Sequence, residues 1–133
     1  MDPAYFNDIV GKQIAICQKT LGLKAEEYAT GTDRLHNFRV AAALEGESLR
    51  KSLTGMMAKH TVSIYDMCST DDAYSLPAWE EKIKDHINYL LLLRAVIQEE
   101  FDEMRELESA TINVHPHNYK NQINVSKKDI LNA

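Results

Sequence analysis

The chain has 133 residues, enough for one domain with a hydrophobic core, and its 44% apolar and 26% charged residues are ordinary for a globular protein. The formal charge is −5; residues 109–133 carry three lysines and one aspartate, +2 in all, so residues 1–108 carry −7. Such a body is ill suited to neutralising nucleic-acid phosphates, and no stable nucleic-acid binding is expected of it. An acidic body that handles phosphorylated ligands would use divalent cations as a bridge.

No stretch reaches the roughly 18 apolar residues of a membrane span. The segment MDPAYFNDIV has no basic region followed by an apolar run, so no signal peptide is expected and the chain is placed in the cytoplasm. Cys17 and Cys68 lie in apolar helical patterns and are expected to be buried thiols in a reducing compartment.

In chain order, Asp2-Pro3 is a helix start, an acceptor at the cap followed by proline at the first helical position. Phe6, Ile9, Val10, Ile14, Cys17 and Leu21 recur at helical spacing, and Gly22 is expected to close a helix over roughly 3–21. ATGTD is a short turn, from which Thr32 or Asp33 can cap a second helix carrying Leu35, Phe38, Val40 and Ala41 to Leu44. EGES breaks that helix. Ser48 caps a third, with Leu49, Leu53, Met56, Met57, His60, Ile64 and Met67 at three-to-four spacing.

STDDAYSLP is a loop, and Pro77 opens a fourth helix that runs to about residue 107 and ends in the acidic QEEFDEMRELE. From Ser109 the chain is polar and nearly free of helical periodicity. The expected architecture is therefore all-α, a four-to-five-helix bundle over residues 1–108 with a polar arm over 109–133, flexible or laid on a partner subunit.

Polar residues inside apolar helices are the candidates for chemistry. Glu81, Asp85 and Asn88 share one face of the fourth helix, because three or four residues make one turn, and Tyr89 follows. Lys59 and His60 sit in the third helix. Lys24, Glu26, Glu27 and Asp33 precede the second, with Asn37 one turn further on. Solvated surface charge explains most carboxylates at such spacing. The functional alternative is that carboxylates from facing helices hold Mg²⁺, which prefers oxygen ligands and bridges phosphates. Tyr28, Asn37, Asn88 and Tyr89 would then hold a base or sugar.

The order KAEEYATGTDRLHNF, then KH, then WEEKIKDHINYLLLL resembles the MazG-like, nucleotide-modification-associated proteins of phages and bacteria. These belong to the all-α nucleoside-triphosphate pyrophosphohydrolase grouping, and the likeness covers roughly residues 20–97. It implies a MazG-like fold in which Glu27, Asp33, Glu81 and Asp85 bind Mg²⁺, with Mn²⁺ as a possible substitute. It also implies that Glu26 orients the attacking water and that Lys24, Lys59 and His60 contact phosphate. The chain departs from the pattern of that family. Glu81 and Asp85 are four residues apart rather than three, and the first acidic element is not a Glu-x-x-Glu.

Three functions follow as expectations. The first is a Mg²⁺-dependent pyrophosphohydrolase acting on a (deoxy)nucleoside triphosphate or a modified nucleotide. The second is a non-catalytic nucleotide-binding or nucleotide-sequestering phage protein, acting in the host cytoplasm against defence signalling. The third is a helical assembly protein with no small-molecule site. A homo-oligomer, dimer or tetramer, is expected under each, because four helices with one long member leave apolar surface uncovered.

Overall fold

A computed structural model describes residues 1–28 and 33–114, the side chains of residues 27, 28 and 112–114 excepted. The described residues form four helices: α1 (Pro3–Tyr28), α2 (His36–Glu45), α3 (Leu49–Ser69) and α4 (Leu76–Val114). The protein is an all-α bundle. The turn at residues 29–32 and the arm from 115 onward, with the two histidines of HPHNY, lie outside the described residues.

Local chemistry sets most of the boundaries. Asp2 caps α1 as expected, its carboxylate accepting from the Tyr5 N–H at 3.1 Å while its carbonyl accepts from Phe6. Gly22 does not end α1. It takes no left-handed conformation, and the good helix formers that follow carry the helix to Tyr28. Ahead of α2, the Asp33 carboxylate accepts from the Leu35 N–H at 2.9 Å, and Leu35 itself is the capping residue without a side-chain bond. Gly46, at φ 66°, closes α2 in the left-handed conformation, and its N–H and that of Glu47 satisfy the last carbonyls.

Ser48 caps α3 through the Lys51 N–H at 3.3 Å. Ser75 caps α4 through the Ala78 N–H at 3.4 Å, which puts Pro77 one residue inside the helix. At the other end α4 extends past the expected stop at 107 to Val114. The Ser109 and Thr111 hydroxyls donate back to the Arg105 and Leu107 carbonyls, so these polar residues satisfy themselves on the helix instead of leaving it.

The chain divides into two compact units, Met1–Ile97 and Gln98–Ala133. In the first, Leu35, Leu53 and Val96 form a buried cluster drawn from the start of α2, α3 and α4. Phe38, Leu49, Tyr89, Leu92 and Leu93 pack around it. Helix α1 lies on the first part of α4, where the Gln13 Nε2–H donates to the Glu80 carbonyl at 3.4 Å. The fully buried Cys17 thiol meets the Lys84 carbonyl at 4.0 Å. Cys17 fits its expected burial; Cys68, next to buried Met67 but turned about 100° around α3 from it, is exposed against expectation.

This core is small for the number of apolar side chains. Phe6, Ile9, Val10 and Ile14 of α1 and Ile83, Leu90 and Leu91 of α4 keep 37–55% of their surface exposed. In the second unit the described residues are the end of α4, where Phe101, Met104 and Leu107 form an exposed apolar stripe. Among the described residues, no helix is long and apolar enough to cross a membrane.

Candidate functional site

In the first unit all four helical segments wall one cavity of about 380 Å³, within the range of small-molecule sites. Helices α1 and α4 contribute residues at helical spacing, so one face of each is presented. Helix α1 gives Thr20, Leu21 and Lys24. The start of α2 gives Arg34, Asn37 and Phe38, and α3 gives His60. Helix α4 gives Asp85, Asn88, Tyr89 and Leu92, a run of i, i+3, i+4 and i+7.

The lining holds two cations, Lys24 and Arg34, and the carboxylate of Asp85. The Arg34 guanidinium donates to the Leu21 carbonyl at 3.0 Å, which ties it to α1 across from its own element. Asp85 lies 3.5 Å from the Lys84 ammonium and 3.9 Å from the His60 Nδ1, the second separation being too long for a hydrogen bond. The His60 and Tyr89 rings stack with centroids 4.7 Å apart and planes tilted by 33°.

Burial holds the His60 imidazole below its ordinary value of 6.5, outweighing the upward pull of Asp85, so the ring is neutral at pH 7. A neutral ring offers one donor and one acceptor nitrogen. Burial, reinforced by Asp85, raises the Tyr89 hydroxyl above 10, so it stays protonated and can donate.

The most buried polar residue of the cavity lining is Asn88, only 6% exposed. Its Oδ1 has no hydrogen-bond partner among the described residues. Native interiors rarely leave such an acceptor unpaired, and where they do the atom calls for an explanation.

Of the residues expected from sequence, the fold gathers Lys24, Asn37, His60, Asp85, Asn88 and Tyr89 on this cavity. Asp33, Glu26, Lys59 and Glu81 are not among its lining. Asp33 accepts from the Leu35 N–H and pairs with the Arg39 Nε at 3.0 Å; these bonds hold its carboxyl below the usual range. Glu26, Lys59 and Glu81 are exposed. The side chains of Glu27 and Tyr28 lie outside the described residues. Among the described residues, no three of His, Cys, Asp and Glu come together as a group that could hold a metal ion.

Sequence reasoning missed Arg34, Thr20, Leu21 and the walls formed by Phe38 and Leu92. Arg34 had a legible signal, since it lies three residues before Asn37 and four before Phe38. Thr20 and Leu21 had none, because their part in the cavity depends on how α1 is set against α4.

Compared with protein-family models, with curated proteins and with solved structures, the chain matches none.

Proposed function

We propose that this protein is a nucleotide-binding helical bundle that holds its ligand without consuming it. The observation that carries the reading is one cavity in which Lys24 and Arg34 stand with the rings of Phe38, His60 and Tyr89 and the amides of Asn37 and Asn88. The cations suit a phosphate, and Arg34 can meet it with two parallel N–H donors. The rings and amides suit a base and sugar, as in sites that stack a base on an aromatic face. Sequestration of a nucleotide, including a host signalling nucleotide if the chain is phage-encoded, belongs to this proposal, as does the cytoplasm as its setting.

The second reading is the Mg²⁺-dependent pyrophosphohydrolase, and Asp85 in the cavity wall favours it. Mg²⁺, or Mn²⁺ in its place, would supply charge neutralisation and an activated water. Among the described residues Asp85 is the one carboxylate of the cavity lining, with Asp33 and Glu81 elsewhere. That falls short of the multi-carboxylate cradle implied by the MazG-like resemblance, and binding is therefore the better-supported function.

The test is to incubate the purified chain with a mixed nucleotide panel, with Mg²⁺ or with EDTA, and to follow the nucleotides by chromatography before and after heat denaturation. We expect one nucleotide to disappear from solution and return intact on denaturation. Metal-dependent conversion of a triphosphate to monophosphate and pyrophosphate would overturn sequestration in favour of hydrolysis. A panel untouched in every condition would remove the nucleotide reading.

Self-association belongs to the same proposal. The apolar side chains left exposed on α1 and α4 would be covered by a second copy.

A further inference from the structure

Asn88 raises a separate question. Its neighbours along the same helical face, Asp85, Tyr89 and Leu92, all line the cavity, so the face itself points at the ligand space. A leucine at 88 would continue the apolar run that begins at Leu90 and would leave no polar atom to satisfy. Instead the chain buries a carboxamide whose oxygen has no partner among the described residues. Ser52 and His86 also bury an unpaired atom, yet neither lines this cavity, so Asn88 alone joins the two observations.

Resting on the nucleotide reading above, we infer that Asn88 is the specificity-determining residue of the pocket. Its Oδ1 accepts a hydrogen bond from a donor on the bound nucleoside. The donor is an amino or imino N–H on the base edge or a hydroxyl of the sugar, and the shared chemistry is an N–H or O–H delivered to a dry acceptor. A site that buries an acceptor rejects a ligand lacking the donor far more strongly than a purely apolar wall rejects a difference in size. The unpaired oxygen therefore carries a cost that the correct ligand removes, and stability and recognition are set against each other at this position.

The experiment measures equilibrium binding of uracil, cytosine, adenine and guanine nucleotides, each as ribose and deoxyribose forms, to the full chain and to Asn88→Leu. Thermal melting of both proteins is recorded without ligand. The wild type should prefer its best nucleotide over the others by about tenfold or more. Asn88→Leu should weaken that nucleotide by a similar factor, level the panel, and melt at or above the wild-type temperature. Loss of discrimination between bases assigns the donor to the base; loss between ribose and deoxyribose assigns it to the 2′-hydroxyl.

An unchanged preference in Asn88→Leu overturns the inference while leaving nucleotide binding intact. So does a fall of several degrees in melting with discrimination preserved, which would make Asn88 structural. If wild type binds no nucleotide, the functional reading fails and this inference falls with it. Should the leucine variant not fold, the wild type is tested with analogues methylated at each base donor or at the 2′-oxygen. One of them should lose about tenfold in affinity, and equal binding of all would refute the assignment.

Discussion

His60 has two opposing influences around it, and burial wins over Asp85. Lys59, Lys82 and His86 add to the downward shift. The folded ring therefore gives up its proton at a lower pH than the unfolded one. Its contribution to stability is fully present above the unfolded value near 6.5 and is lost as pH falls through the folded value. The urea midpoint should drop between pH 7.5 and 5.5, and His60→Phe, which keeps a ring against Tyr89, should drop less. Equal losses in the two proteins would place the pH dependence elsewhere. At the same scale, Arg34 and Lys59 separate cavity charge from surface charge. Arg34→Ala should weaken nucleotide binding by about tenfold or more, the usual worth of a charge-assisted hydrogen bond. Lys59→Ala, outside the cavity lining, should leave the affinity within about twofold.

Helix ends are governed by single residues whose bonds are specified. Ser48 begins α3, the helix that carries Leu53 and His60, and its hydroxyl accepts from the Lys51 N–H. Ser48→Ala should destabilise the fold by about 1 kcal/mol in chemical denaturation, with an unchanged dependence on denaturant concentration. Gly46 occupies the left-handed region with open space around it, so Gly46→Ala carries only a backbone penalty of about 1 kcal/mol. These caps were legible in the sequence because Asp, Ser and Gly at element ends act locally. Gly22 was misleading for the same reason. A glycine stops a helix only when the chain beyond it needs to turn, and Leu23 to Tyr28 do not. Ser109 and Thr111 misled in the opposite sense, since their hydroxyls can cap a turn or fold back on the helix, and here they fold back.

Across the first unit, the exposed apolar residues of α1 and α4 exceed the scattered ones that a monomer normally shows. The protein is expected to sediment above its monomer mass, with concentration-dependent melting. Ile83 and Leu90 lie two turns apart on one face of α4, 37% and 46% exposed. The double variant Ile83→Lys, Leu90→Lys should sediment as a monomer while keeping its helical circular dichroism. A wild type that sediments as a monomer at high concentration would refute the second copy as the cover.

The sequence by itself determined the all-α class and most of the helix starting points. Helical periodicity and capping chemistry operate within a few residues, and no distant contact is needed to express them. It also marked Lys24, Asn37, His60, Asp85, Asn88 and Tyr89 as candidate ligand-binding residues, and the fold brings these six to one cavity. Which carboxylates stand together is a different kind of fact. Glu81 and Asp85 share a helical side, but Glu81 lies one turn, about 6 Å, further toward the start of α4, beyond the cavity lining and in solvent. Asp33, one residue from Arg34, is engaged by Arg39 and the Leu35 N–H while Arg34 faces the cavity. Only the tertiary structure decided these outcomes, because they depend on where along and around each helix its neighbours pack, as Leu35, Leu53 and Val96 do for α2, α3 and α4.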